Sequence, residues 1–483
     1  MLPWLGYYTR VQTRHEVPIG DKWLGTGEEL EVRSPYDGEV LGSVPSCGAE
    51  EVDAAVAAAK ARLEDPQPTH QRAAILDRAA ALLDERQDEF ARTIAAEAAK
   101  PLRTARVEAA RAVDTFRFSA AEARTLTGDV VPLEASTAGE GKVGFTLRVP
   151  IGVVGAISPF NFPLNLVAHK VAPAIAAGCP VVLKPASQTP LSALALARLL
   201  IDDCGLAPGA LNVVTGGGSA VGDPLVDHPD VAMITFTGSP PVGWGIRQRA
   251  PQKKVSLELG NNSPVIIEAD GDWQAAASKV RVAGFSHAGQ SCISTQRIYV
   301  HESVADYFVT DLVAAVETLV VGPPLDDATE VSALISHDDT ERVQDWIDEA
   351  VDGGAHVATG GTVGDDGVLR PTVLTGVSPD MKVCRDEVFG PVVAVATYSS
   401  LDEALALAND TRYGLQAAIF TSRLDVALRA ARTLDYGGVL VNEVPTWRAD
   451  QQPYGGVRDS GNTREGPHYA VREMTEHRLV VLG

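Results

Sequence analysis

The sequence predicts an α/β protein built on parallel sheets with crossover helices, and three observations carry that reading. Short apolar runs alternate with helical stretches from Gly152 onward, and the alternation restarts as a second series near Ser263. A chain of 483 residues is too long for one small core, so two large domains are expected, with room for a small extra element. Composition agrees: 45% hydrophobic and 22% charged residues, with no low-complexity tract, describe a globular chain.

The elements follow in order. From Glu50 to about Leu102, "EEVDAAVAAAKARL" and "QRAAILDRAAALLDERQDEFARTIAAEAAK" carry apolar residues at helical spacing, the first after a Gly48-Ala49 turn. A further helix, "RVEAARAVDTFRFSAAEART", leads into a polar, glycine-containing stretch from Thr127 to Lys142. Then "GVVGAIS", "PVVLKPA", "LNVVTGG" and "AMITFTGS" read as buried strands, separated by helical text such as "TPLSALALARLLIDDCG". "SPVIIEAD", "STQRIYVHESVADYFVTDLVAAVETL" and "DEALALANDTRYGLQAAIFTS" make the second series. The chain closes on "RLVVL", a terminal strand with an edge to fill within the chain or on a neighbouring subunit.

Charge and cysteine use narrow the classes. The formal charge of −22 is spread along the chain with no basic stripe, which argues against nucleic acid as a partner. Five cysteines lie far apart with no C-x-x-C pair, which predicts neither a disulfide framework nor a metal site and suits a reducing cytoplasm. "MLPWLGYYTRVQTRHEV" lacks the apolar core of a signal peptide. The longest apolar run, Val171 to Leu183, contains two prolines and is too short to span a bilayer, so no membrane partner is expected.

Several motifs offer chemistry, each with a plainer reading beside it. "TGGGSAVG" (Thr215 to Gly222) follows a strand, but Val221 stands where a dinucleotide fingerprint has its third glycine, so a simple glycine turn fits equally. "FTGS", ending at Ser239, offers a hydroxyl and free amides where a helix begins, as a pyrophosphate needs. Lys184 emerges at the carboxyl end of a strand, where open α/β sheets bind ligands, although a solvated lysine would look the same. Glu258 ends the strand-like "VSLE" and is either a buried general base or an edge-strand surface residue. Asn161, between aromatic rings and prolines in "SPFNFP", is either a fixed amide donor or a turn former. Cys292 in "GQSC" is a core residue or a nucleophile, and His287, five positions upstream, has the wrong spacing for a helical dyad with it.

Taken together, "PFNFP", "KPASQTP", "FTGS", "LELG", "GQSC", "EVFGPV" and "PYGGVRDSG" occur in this order, with Glu258 and Cys292 34 positions apart. This set resembles the NAD(P)-dependent aldehyde dehydrogenase superfamily over nearly the whole chain. The resemblance implies a Rossmann-like cofactor domain (1–125 and 149–259), an α/β catalytic domain (260–460) and a small β oligomerisation element (126–148 and 461–483), in a homodimer or homotetramer. It implies Cys292 as nucleophile, Asn161 and the Cys292 amide as oxyanion donors, and Glu258 as the base that activates water. Lys184 would hold the adenosine ribose, Ser239 the pyrophosphate and Glu387 the nicotinamide ribose, with Leu259 in the cofactor groove and Phe389 beside the ring. Ser187 stands where many NAD-preferring relatives carry glutamate; without that carboxylate a 2′-phosphate is not repelled, which tilts NAD-or-NADP use toward NADP or both. Asn261 replaces a usual glycine after "LELG", and Phe160 replaces a common tryptophan.

The tail "VNEVPTWRADQQPYGGVRDSG" is similar to the subgroup acting on lactaldehyde, glyceraldehyde 3-phosphate and phosphonoacetaldehyde. Arg448, with Arg297 and Arg111, is expected to receive an anionic or hydroxylated small-molecule aldehyde, because guanidinium pairs well with carboxylate, phosphate or sulfonate; structural salt bridges are the alternative. Ser291 and Ile293 are expected to line the tunnel. A CoA-acylating enzyme and an idle binding protein on the same fold are the competing classes, the first disfavoured by Glu258.

Overall fold

The computed structural model describes residues 13–483. The first twelve residues of the expected 1–125 segment, and most of the stretch read as lacking a signal peptide, lie outside the described residues.

Five parallel strands form the first sheet, in spatial order Leu211–Val213, Val181–Lys184, Val153–Ile157, Val231–Thr237 and Lys254–Glu258. Every residue of Val153–Ile157 and Val181–Lys184 is buried, the condition that turns parallel strands into continuous apolar runs. Strand order reverses between Val153–Ile157 and Val231–Thr237, so a ligand crevice opens beyond their carboxyl ends, next to Ser158, Lys184 and Gly238.

Helix Asn165–Ala177 crosses beneath this crevice with all thirteen residues buried. A helix buried all round, with Asn165, His169 and Lys170 turned inward as well, has no amphipathic period, and Pro173 sits inside it, which is why its second half reads in sequence as an apolar run. Gly178, at φ 86°, ends it in the left-handed conformation that glycine adopts without strain.

The second sheet has seven strands, in order His356–Thr359, Thr372–Thr375, Val392–Tyr398, Thr295–His301, Ser263–Ile267, Gln416–Phe420 and Gly438–Val441. All neighbours are parallel except the first pair. After the last strand the chain returns to the first sheet: Leu259 N–H donates to Ser460 O at 3.0 Å and Leu257 N–H to Asn462 Oδ1 at 2.9 Å. That return carries residues 448–465 over the end of Lys254–Glu258.

The terminal strand Thr475–Leu482 pairs antiparallel with Val143–Pro150, which pairs with Val130–Val131. Val130, Val143, Leu147, Leu479, Val481 and Leu482 leave this small sheet with exposed apolar side chains. Among the described residues no helix is long and apolar enough to cross a membrane.

Candidate active site

Cys292 lies in the turn between Ser286–Gly289 and the central strand Thr295–His301. The approach is wound tightly: His287, Ala288 and Gly289 have φ of 51°, 52° and 71°, and only the last is a glycine. Consecutive left-handed residues with side chains are unfavourable and persist only where surroundings hold them. Here Gln290 is the clasp, its Nε2 donating to His287 O at 3.2 Å and its Oε1 accepting from Ile335 N–H at 2.9 Å. Asn161 Nδ2 donates to Gln290 O at 2.9 Å, which ties the loop after Val153–Ile157 to the cysteine turn. His287 is buried with neither ring nitrogen hydrogen-bonded among the described residues.

The thiol sits in a small apolar cluster with Ile293, Leu415 and Tyr454. Its Sγ is 2.9 Å from Tyr454 Oη. Burial pushes the Cys292 thiol up to about 12, opposed by the Tyr454 hydroxyl and by the Arg448 charge, with Glu387 and Glu258 acting on it as nearby anions. Ser291 stays beside it, its Oγ accepting from Ile293 N–H at 3.4 Å.

Glu258 ends the edge strand of the first sheet, buried, with neither carboxylate oxygen hydrogen-bonded among the described residues. A Cβ on Gly455 would stand 2.7 Å from Glu258 Oε1, so that glycine leaves the space the carboxylate faces. Burial, and then the neighbouring Glu465, raise the Glu258 carboxyl well above its ordinary range. Burial opposes charge on Glu465, but Lys170, His169 and Arg448 outweigh it and hold the carboxyl below its ordinary range. Lys170 Nζ is 3.6 Å from Glu465 and donates to Thr237 Oγ1 at 2.7 Å.

Arg448 is buried in the same corner. It pairs with Glu465 at 3.1 Å, contacts His169 Nε2 at 3.2 Å and stacks over the Tyr454 ring, 3.7 Å from its centroid, while its Nε has no partner among the described residues. Arg111 grips Asp450 with two bonds of 2.8 and 3.1 Å, and Asp450 also meets His169 Nε2 at 2.9 Å. One chain of polar contacts therefore runs from Arg111 through Asp450, His169, Arg448 and Glu465 to Lys170.

Arg297 corrects an expectation. It is buried in strand Thr295–His301, but its guanidinium points away from the thiol and is consumed by the carbonyls of Asn262, Leu407 and Ala408 and the hydroxyls of Tyr299 and Tyr436. A guanidinium with its N–H groups spent on structure has none to offer a substrate.

The expected cofactor residues gather at the crevice of the first sheet. Lys184 is buried, with Nζ donating, among the described residues, only to Pro185 O at 3.2 Å, and burial lowers its ammonium pKa. Ser239 stands at the start of helix Pro240–Arg249 with its side chain not used as a cap. Ser187 Oγ donates to Gly216 O at 2.8 Å, fixing the glycine turn that the sequence left open. Leu259 is buried against Gly243 of that helix. Glu387 is half-buried, accepts from Asn261 N–H at 2.9 Å and is pushed up to about 7 by desolvation. Phe389 holds a left-handed φ of 50° and meets Phe160 edge to face, centroids 5.8 Å apart. A lysine with a single backbone partner among the described residues, an uncapped helix start and a half-buried carboxylate fit a dinucleotide with ribose hydroxyls and a pyrophosphate. Asn261 also gains an account: its amide bonds Ser263 Oγ and Gln416 O, so the side chain braces the second sheet.

Sequence reasoning missed Lys170, His169, Tyr454, Glu465, Asp450 and Gln290. Tyr454 lay inside "PYGGV" and Gln290 inside "GQSC"; the other four carry no local pattern and meet only through the fold.

A half-buried thiol, an amide donor on its turn and a carboxylate without a partner among the described residues, beside a dinucleotide-type crevice, make a candidate site for chemistry on a carbonyl. The chain belongs to the aldehyde dehydrogenase family, whose model matches residues 23–480. It is an oxidoreductase that acts on aldehydes with NAD or NADP. It is 47% identical over 464 residues to the 3-sulfolactaldehyde dehydrogenase of Priestia megaterium, covering 96% of this chain and 97% of that protein. Its structure is similar to aldehyde dehydrogenase 21 from Physcomitrella patens in complex with the reaction product succinate (TM-score 0.94, 39% identity, 98% of both chains). It is similar also to the NADP-dependent glyceraldehyde-3-phosphate dehydrogenase of Bacillus halodurans complexed with NADP (TM-score 0.94, 37% identity, 98% of this chain and 99% of that one).

Proposed function

We propose that the protein oxidises a short 2-hydroxyaldehyde carrying a strongly anionic head group, of the 3-sulfolactaldehyde kind, to its carboxylic acid. The single observation that carries this reading is Arg448, a buried cation whose Nε has no partner among the described residues, in the corner beside Cys292 and in contact with His169. The resemblance to a 3-sulfolactaldehyde dehydrogenase supports the same class.

Cys292 Sγ attacks the aldehyde carbon, and the oxyanion is held by the Asn161 amide and the Cys292 N–H. Removing one such donor costs about a hundredfold or more in rate. NAD or NADP, when bound, supplies the hydride acceptor, and a thioester is left on Cys292. Glu258, unpaired and raised by burial, takes a proton from water, which releases the acid rather than passing the acyl group to CoA. Lys184, Ser239, Ser187, Leu259, Glu387 and Phe389 hold and orient the cofactor. Ser187 leaves no carboxylate facing a 2′-phosphate, which supports use of NADP beside NAD.

We place the cofactor domain at 1–125 and 149–259, the catalytic domain at 260–460 and the oligomerisation element at 126–148 and 461–483. The exposed apolar face of the small sheet supports a homodimer or homotetramer. The spread acidic charge and sparse cysteines support a cytoplasmic setting.

An aldehyde panel (3-sulfolactaldehyde, lactaldehyde, glyceraldehyde 3-phosphate, succinate semialdehyde, acetaldehyde) run separately with NAD and NADP tests the reading. The highest kcat/KM is expected for the anionic hydroxyaldehydes. Equal or better use of acetaldehyde would overturn it.

A further inference from the structure

We infer that the Tyr454 hydroxyl is the hydrogen-bond donor that holds the Cys292 thiolate, with Arg448 as a positioning residue that fixes the Tyr454 ring. The inference rests on Cys292 being the nucleophile and is independent of which aldehyde is used.

The cysteine pocket poses a problem that its other neighbours do not solve. Ile293 and Leu415 are apolar, the Glu258 and Glu387 carboxyls oppose a thiolate whenever they are charged, and Asn161 bonds the Gln290 carbonyl rather than sulfur. All of these leave a thiolate without a donor, and an undonated thiolate in an apolar pocket does not form. Tyr454 Oη, at 2.9 Å, is the side-chain hydrogen-bond partner of Sγ among the described residues. With a neutral thiol either atom can donate; once sulfur is anionic, only the phenol can. Burial raises the Tyr454 phenol well above its ordinary range, so it keeps its proton and remains a donor.

The phenol is also held rigidly. The Arg448 guanidinium lies over the ring face at 3.7 Å, and Arg448 is anchored by Glu465. Tyr454 and Glu465 are themselves bridged backbone to backbone. A cation on the ring face withdraws electron density and makes the O–H a stronger donor. On ionisation the thiol proton leaves to water and the phenol proton stays on Oη, so no bond of Tyr454 is made or broken.

The test is alkylation of Cys292 by iodoacetamide as a function of pH, in the full-length protein without aldehyde. Tyr454→Phe keeps the ring and its stack on Arg448 and removes only the hydroxyl. The midpoint of the rate profile is expected to rise by about one to two pH units, the value of a hydrogen bond to a charged acceptor. At pH 7.5 the rate is expected to fall about three- to tenfold, because the more basic thiolate recovers part of the loss through higher nucleophilicity. Thiolate absorbance near 240 nm, taken as the difference from Cys292→Ala, should shift by the same amount; a merely structural tyrosine would not move it. Superimposable profiles for native and Tyr454→Phe protein would overturn the inference while leaving the proposed aldehyde oxidation standing. Aldehyde oxidation surviving in Cys292→Ala would instead remove the nucleophile on which both depend.

Discussion

Arg297 and Arg448 are both buried guanidiniums, both reachable by sequence reasoning as substrate ligands, and the fold treats them oppositely. Arg297 spends its N–H groups on three carbonyls and two phenols behind the central strand of the second sheet. Arg448 has one carboxylate partner, an aromatic face and an open Nε, one ring away from the thiol. The same contrast separates the carboxylates. Glu97 accepts from Leu191 and Ser192 amides, and Glu108 from Lys100 and the Leu164 and Asn165 amides, whereas Glu258 accepts from nothing among the described residues. Buried polar groups are normally satisfied, so a cluster of open ones marks where a substrate completes the bonding.

That contrast can be broken by substitution. Cys292→Ala should abolish aldehyde oxidation, a loss of about 10⁴-fold or more, followed as NAD(P)H formation. Glu258→Gln should slow turnover by about 10²- to 10⁴-fold. In the native protein the base form of Glu258 exists only above its raised titration point, so turnover should decline on acidification at a higher pH than an ordinary glutamate would dictate, and that limb should vanish in the Gln variant. Arg297→Met belongs to the closed set: it strands buried carbonyls and should cost about 2–4 kcal/mol of stability, read as a lower thermal midpoint with substrate preference intact. Ser187→Glu should be the mildest, lowering kcat/KM for NADP about tenfold through like-charge repulsion while sparing NAD.

Much of this was legible in the chain. The strand runs were readable because parallel strands buried on both faces are continuously apolar, and Cys292, Glu258 and Asn161 were readable through their ordered motifs. Helix Asn165–Ala177 was not, because a fully buried helix erases its own period, and with it went His169 and Lys170. Asp450 and Glu465 sit on the returning tail, and His169 and Lys170, which they meet, lie hundreds of positions away in sequence, so no local spacing announces those contacts. The direction in which Arg297 points was equally hidden, since alternation along a strand gives two faces without saying which one meets the site.

The most direct measurement is the ratio of kcat/KM for 3-sulfolactaldehyde over lactaldehyde in native, Arg448→Met and Arg297→Met proteins. The ratio is expected to collapse about tenfold or more in Arg448→Met, the cost of losing a charge-assisted contact, and to hold at the native value in Arg297→Met. An unchanged ratio in Arg448→Met, or an equal fall in both variants, would contradict the account.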